Sequence, residues 1–501
     1  MRSALAAVVE TGGLAAALLL PLWFNPYARV PFEPVKIALS WGIVAVMTLA
    51  WLGWRLPVLR RLPHSEANSS TGRRLLFWTT LAYAGVVLFA TALSVNPMLS
   101  LLGTPDNPRG TVTILAGVLF CWLLADVLRR PTQINRLVQV LILASVPVMV
   151  YGYAQALGLD PLPWITDSVS PVHATLGRSN FLGAYLAMVA PWTLALVLLG
   201  SRYGKDAYST NGVPGGPCSV RSRYGEDASW EPSLPSTSEE RRDPADGAAF
   251  GSSRFLIVLT LQVVCLALTL ARGAWLGLTV GCVVFLALLA LRWRERRLWQ
   301  AAGLALVVGC SVLAAMTFVR LPAGNEQATA AGMSYPELRT ESALRRSVIW
   351  QHALALIPAR WPLGYGPATF QQVFSARYPP GTLYQGADAV VDDPHNLLLE
   401  RLLATGVLGL AAYGGVVAAF VKLGLGLWRR SEGLATVQTP TRPAVRASSA
   451  QRRHDALTAA ALASVAAYLT QALFNPDVVV LSMLFWLALA IMVALDWTSI
   501  F

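Results

Sequence analysis

The sequence is poor in charge. Asp, Glu, Lys and Arg make up 13% of 501 residues, against about a quarter in an ordinary soluble protein. With 55% apolar residues and a mean hydropathy of +0.52, that shortage excludes a water-soluble globular fold. Cysteine is scarce too. Cys121, Cys218, Cys265, Cys282 and Cys310 are scattered, and four of them lie inside apolar runs. They form no CxxC pair and no disulfide framework, so they read as small core hydrophobes. The first apolar run lacks a small-residue cleavage site, so a retained helix is expected there. The net charge of +12 is no sign of nucleic-acid binding, because a bilayer already demands Lys and Arg on one side. Histidine is rare as well, with five in the chain, and one of them stands in the polar stretch VDDPHN (391–396).

What is abundant is the long apolar run. A spanning helix needs about 20 mostly apolar residues. About twelve such runs are present, at roughly 4–24, 35–54, 75–95, 110–128, 136–157, 179–200, 255–271, 274–291, 299–319, 407–428, 456–474 and 478–495. Many of the 17 tryptophans sit near their ends, as interfacial anchors do. The fold class expected is an all-α polytopic membrane protein with about twelve transmembrane helices. Placing the N-terminus in the cytoplasm collects the RRP (129–131), RWRERR (292–297) and LWRR (427–430) clusters inside. The same choice leaves one long loop, a kind exempt from the charge rule, outside. Both termini are therefore expected in the cytoplasm.

This pattern divides the chain into 1–200 with helices 1–6, a linker 201–254, helices 7–9 over 255–319, an outer loop 320–406, and helices 10–12 over 407–501 with a cytoplasmic loop 429–455. The linker is rich in Gly, Pro, Ser and Asp and repeats SRYGKDA as SRYGEDA; it has little to bury and reads as disordered. The outer loop differs. It carries RRSVIWQHALALIPARW, with Val348, Ile349, Ala353, Leu356 and Ile357 at helical spacing, and reads as an extracytoplasmic unit with amphipathic helices.

Ionisable groups at a membrane edge are costly and ask for a reason. Four groups fall on the outer side. Arg272 lies in a tight hairpin, LTLARGAWLGL; it is either a snorkelling interfacial cation or one half of an anion clamp. Arg345 and Arg346 precede Trp350, which shares a helix face with Arg346. Arg178 and Asn180 stand in GRSNF at the mouth of the sixth span, where Asn180 suits a helix cap. His395 follows Asp392 and Asp393 and precedes Asn396. The aspartates there allow three readings: helix capping, support for a catalytic histidine, or a divalent metal site, which the absence of a further ligand cluster disfavours.

Four ordered motifs then resemble one family. ATLGRSNFLGAYLAM (174–188), LARGAWLGL (270–278), RRSVIWQHALALIPARWPLGYGPATF (345–370) and HNLLLERLLATGVLGL (395–410), with the weaker SVNPMLSLLGTPDNPRG (94–110), are similar to the O-antigen ligase / Wzy-type polymerase superfamily of bacterial membrane glycan transferases. The resemblance implies a GT-C-like fold in the cytoplasmic (inner) membrane and a site facing the periplasm or exterior. It implies an undecaprenyl-pyrophosphate-linked glycan donor, a glycan, lipid or protein acceptor, and neither a metal nor another cofactor. It further implies that Arg272 and Arg346, with Arg178, hold the pyrophosphate, that His395 is the base or acceptor-orienting group, and that Arg345, Asn180, Asp392, Asp393 and Asn396 support them. Inversion at the anomeric carbon is the simplest course. A protein O-oligosaccharyltransferase of the same superfamily, a transporter or flippase of lipid-linked glycan, and a non-catalytic assembly factor are the competing readings. The absence of a half-to-half repeat and of a midplane polar cluster counts against transport.

Overall fold

The computed structural model describes residues 2–59, 70–162, 170, 172–209, 244–318, 335–378, 391–436 and 449–498. Among them the chain is helical, with no strand beyond an isolated bridge between Thr104 and Asn107. The helices are α1 (Arg2–Leu22), α2 (Glu33–Leu59), α3 (Thr71–Ala92), α4 (Pro97–Leu102), α5 (Thr111–Val127), α6 (Pro131–Ala156), α7 (Ser179–Ser209), α8 (Pro244–Leu268), α9 (Arg272–Trp293), α10 (Arg296–Phe318), α11 (Tyr335–Leu354), α12 (Phe370–Arg377), α13 (Leu397–Thr436), α14 (Ser449–Ala472) and α15 (Val479–Thr498). Without water to satisfy backbone polar groups, an apolar chain in lipid closes its hydrogen bonds within helices.

Nine of these are long and apolar enough to cross a membrane, among the described residues. The apolar helices Thr111–Val127 and Ser253–Leu268 are shorter. α14 completes the array as a buried helix of low hydropathy, with small residues such as Ala456, Ala459, Ala460 and Ala463 fully enclosed. Each of the twelve apolar runs read from the sequence coincides with one of these helices. The protein is a multi-pass membrane protein. Leu49, Trp78, Leu143, Val150, Ile257, Leu304 and Val307 point outward and exposed, as lipid-facing side chains do.

The core is built on α15, whose residues from Val479 to Asp496 are nearly all buried. It packs against α5, α14, α13 and α7, and α13 lies along α3. Because consecutive helices reverse direction, two sets of chain segments gather at opposite ends. One end collects 23–32, 93–110, 157–162, 172–178, 269–271, 391–396 and 473–478. The other collects the start of α1, α3, α6 and α14 and the finish of α2, α5, α9 and α15.

Several expectations gain detail. The linker 201–254 has helix at both ends, since α7 runs to Ser209 and α8 begins at Pro244; its middle, 210–243, lies outside the described residues. The loop 320–406 holds α11, a 3₁₀ turn Ile357–Arg360 and α12. Its last residues, 397–405, are already helical, so α13 starts ten residues before the apolar run at 407–428. In the loop 429–455, α13 continues to Thr436 and α14 begins at Ser449.

Candidate functional site

The site is organised by a break in α13. Gly406 has φ 65 and ψ −169, a region essentially closed to side-chain-bearing residues. Four backbone groups beside the break find partners in the segment 361–366. The amides of Tyr365 and Gly366 donate to the carbonyls of Leu403 (2.7 Å) and Ala404 (2.9 Å), and the amides of Val407 and Leu408 donate to those of Trp361 (2.9 Å) and Pro362 (3.2 Å). A Cβ on Gly406 would run into the Pro362 carbonyl. The PLGYG stretch is thereby stitched into a membrane helix, and the first two turns of α13 become a platform at its end.

At the start of that platform the turn 391–396 is tightly folded. His395 adopts a left-handed φ of 53. Its amide donates to Asp393 Oδ1 (2.6 Å), and its Nδ1 lies 2.9 Å from the Asp393 carbonyl oxygen. A carbonyl can only accept, so Nδ1 carries the hydrogen and Nε2 of the neutral ring keeps its lone pair. Asn396 caps α13: its Oδ1 accepts from the amides of Leu398 (3.0 Å) and Leu399 (3.1 Å). Capping thus falls to Asn396 and leaves the two aspartates to other contacts.

Asp393 is buried, 4% exposed, and pairs with Arg109 (Nη1 to Oδ2, 3.5 Å). Burial pushes its carboxyl up, but hydrogen bonding with His395 and the Arg109 charge outweigh that and hold it below the usual carboxylate range. Burial likewise opposes the Arg109 charge, and Asp393 and Glu33 more than offset it. Arg109 also donates to Asn107 Oδ1 and to the Asp477 carbonyl. Asp477, in the turn between α14 and α15, accepts from Arg401 (2.9 Å). There burial wins over the neighbouring cations, and the carboxyl sits above its ordinary range. Glu33, at the start of α2, accepts from the amide of Val479 (2.8 Å).

Beside this network lies a cavity of about 170 Å³ lined by Glu33, Asp106, Asn107, Arg109, Arg178, Asp392, His395 and Pro476, with Phe32, Phe181 and Val478 as apolar surface. Of the residues expected from the sequence, His395, Arg178 and Asp392 meet in this cavity. Asp393 stands behind His395. Arg178 is exposed at its mouth, on the loop leading into α7. Asn180 lies within the first turn of α7, which begins at Ser179, so it is inside the helix and not at the cap position. Arg272, Arg345 and Arg346 do not line this cavity. Arg272, half-buried, is the first residue of α9. The adjoining Gly273 packs on Asn475, leaving a Cβ only 2.8 Å from its amide nitrogen. Arg346 is half-buried and Arg345 exposed on α11. One turn further, Trp350 donates to the Pro394 carbonyl (2.8 Å) and lies 6.4 Å from the Phe474 ring. The arginine helices therefore reach the cavity through the 473–478 turn and the residue before His395.

Arg109, Glu33, Arg401 and Asp477 were missed as site residues. Arg109 closes the motif 94–110 and Arg401 lies inside HNLLLERLL, so both were within quoted segments. Glu33 and Asp477 had a weaker signal, an acid within two residues of a proline beside an apolar run, FEP (32–34) and NPD (475–477). Among the described residues no three His, Cys, Asp or Glu side chains are grouped as metal ligands.

Residues 255–414 match a family model described as O-antigen ligase. The match spans α8 to the middle of α13 and so takes in Arg272, Arg345, Arg346, Asp392, Asp393, His395 and Asn396. A comparison with curated proteins gave no match.

Proposed function

We propose, for a chain whose residues 255–414 match a family model described as O-antigen ligase, that the protein transfers or polymerises a glycan from an undecaprenyl-pyrophosphate-linked donor onto an acceptor hydroxyl. The helices then cross the cytoplasmic membrane twelve times with both termini inside, and the end bearing His395 faces the periplasm or exterior. The observation that carries this reading is the His395 turn. A ring whose Nδ1–H is spent on the Asp393 carbonyl presents Nε2 as a proton acceptor, and the ring lines a cavity that also holds Arg178.

In the proposed step the acceptor oxygen attacks the anomeric carbon and gives its proton to Nε2 of His395. The bond from the anomeric carbon to the pyrophosphate oxygen breaks on the opposite face, with inversion. Undecaprenyl pyrophosphate leaves with the bonding pair, its charge met by Arg178 in the cavity and by Arg272 and Arg346, which lie outside the cavity on α9 and α11. Fixed cations in a water-poor site stabilise such charge without a metal. A positioned base contributes about 10²–10⁴-fold. Asp392, exposed at the cavity wall, is placed to orient the acceptor hydroxyl.

The test is a membrane assay with lipid-linked glycan, following release of undecaprenyl pyrophosphate and, by mass spectrometry, the new linkage. His395→Ala, Arg272→Ala and Arg346→Ala should lose product at unchanged protein level. Near-wild-type turnover in His395→Ala removes the base assignment. Movement of donor across the bilayer with no covalent product removes the transferase.

A further inference from the structure

Arg109 is where the buried polar elements of this end converge, and no motif of the base or the anion clamp contains it. Its side chain, 17% exposed, reaches three separate segments. Within its own loop it bonds Asn107 Oδ1, in a turn closed by reciprocal Thr104–Asn107 backbone bonds (3.2 and 3.0 Å). Across the site it pairs with Asp393 at 3.5 Å. Towards the core it donates to the Asp477 carbonyl, in the turn that carries Asn475 and Phe474. It also lines the cavity of His395 together with two smaller ones, of about 40 Å³ each. A guanidinium with donors in a rigid fork is suited to holding several acceptors at fixed angles, which a lysine cannot reproduce.

Asp393 is the only described partner of His395, and every bond between them is local: amide to carboxylate, and ring to carbonyl. The left-handed turn at His395 is a strained conformation for a side-chain-bearing residue and persists only when its surroundings over-determine it. The turn needs an anchor, and Arg109 supplies it through the Asp393 carboxylate.

We propose that Arg109 is a positioning residue for His395: it fixes the Asp393 turn so that the imidazole keeps its Nδ1–H tautomer and its orientation into the cavity. This rests on the reading of His395 as the base. Arg109 acts on the ring through Asp393 and takes no proton itself.

The experiment uses full-length protein in lipid bilayers. Arg109→Gln and Arg109→Lys are assayed with undecaprenyl-pyrophosphate-linked oligosaccharide from the source membranes as donor and the envelope fraction as acceptor. Nitrogen NMR on ¹⁵N-histidine-labelled protein, with five histidines to resolve, reports the tautomer of His395, assigned with His395→Gln. In Arg109→Gln, kcat should fall about tenfold or more, a part of what a general base contributes. The donor KM should change little and the His395 signal should shift from the single Nδ1–H form to a mixture. Arg109→Lys should recover only part of kcat. Arg109→Gln added to His395→Ala should cost nothing further. The proposal is overturned if Arg109→Gln keeps the wild-type tautomer signal, if the loss falls on KM alone, or if the two variants multiply. Should Arg109→Gln fail to accumulate, Asn107→Ala, which frees the guanidinium from its own loop, is read by the same criteria. Near-wild-type activity in His395→Ala sinks the base assignment itself, whereas a dead His395→Ala beside an active Arg109→Gln sinks only the role of Arg109.

Discussion

The two ends of the helix array both carry ion pairs, some of them buried, and they use them differently. At the end away from His395, Asp126 takes Arg55 and Arg129 (2.7 and 2.6 Å), Asp496 takes Arg73 and Arg430 (3.8 and 2.9 Å), Asp455 takes Arg292 (3.0 Å), and Glu10 takes Arg136 (2.7 Å). Trp497 carries the guanidinium carbons of both Arg73 and Arg129 over its ring, 3.6 and 3.8 Å from the centroid. These pairs join helix termini to one another, and Arg55, Arg73 and Arg129 also lie over tryptophan rings. At the other end Arg109 and Arg401 pair with Asp393 and Asp477, and the same groups line cavities. One end spends its charge on closing the bundle. The other holds charge beside open space, where a ligand can use it.

The comparison predicts that function and stability separate by end. The largest effect belongs to the site. His395→Ala should lower turnover by about 10²–10⁴-fold while leaving the melting temperature in detergent near wild type, since among the described residues its hydrogen bonds are the local ones with Asp393. At the opposite end, Asp496→Asn should leave Arg73, with 8% of its side chain exposed, short of its charge partner. Breaking such a buried pair costs about 3–5 kcal/mol. Folded yield should drop, with turnover per folded molecule unchanged. Equal losses of turnover per folded molecule in both variants would erase the distinction.

Between these lies the break in α13. Gly406→Ala forces a side chain into a backbone region worth about 1–3 kcal/mol of strain and into contact with the Pro362 carbonyl. The stitched segment 361–366 should detach, read as faster hydrogen exchange at Tyr365, Gly366, Val407 and Leu408, with a loss of activity that follows. Protection unchanged at those four amides would show that the loop is held otherwise. Smaller again is Arg178→Ala. Arg178 is exposed at the cavity mouth, so its removal should spare stability and raise the donor KM about tenfold, the worth of one charge-assisted hydrogen bond of roughly 1.5 kcal/mol. A loss confined to kcat would move Arg178 from binding to the chemical step.

How much of this could be read in the sequence follows the same division. The apolar runs are local signals, and each became a helix. His395 and Arg178 stood out as rare polar residues at run boundaries, and they do meet in one cavity. A helix start near Pro394 was legible in HNLLLERLL, but Glu400 and Arg401 interrupt its hydrophobicity, so 397–405 was counted with the outer loop and not with the span that follows. Arg109 was hidden for a different reason. Its partners lie 284 residues away at Asp393 and 368 away at Asp477, and a single sequence carries no record of such pairings. Glu33 looked like the edge of a span until its bond to Val479 joined the start of α2 to the start of α15.

The finest test lies within the site end, between its two buried aspartates. Asp393 is held below the ordinary carboxylate range, so the fold favours its charged form. Its contribution is fully present above the unfolded value of about 3.9 and is lost only as pH falls through the lower folded value. Asp477 is held above its ordinary range by burial that Arg401 does not overcome, so the fold disfavours its charge and stability from this group rises on acidification. The neutral isosteres should therefore diverge. Asp393→Asn, which can still accept the His395 amide but no longer offsets Arg109, should lower the melting temperature at pH 7. Asp477→Asn should lower it less or raise it. The gap should close at pH values below both carboxyls, where the wild-type groups are themselves neutral. If Asp477→Asn is the more damaging at pH 7, the Arg401 pair outweighs burial, and the two pairs of the site end do one job between them.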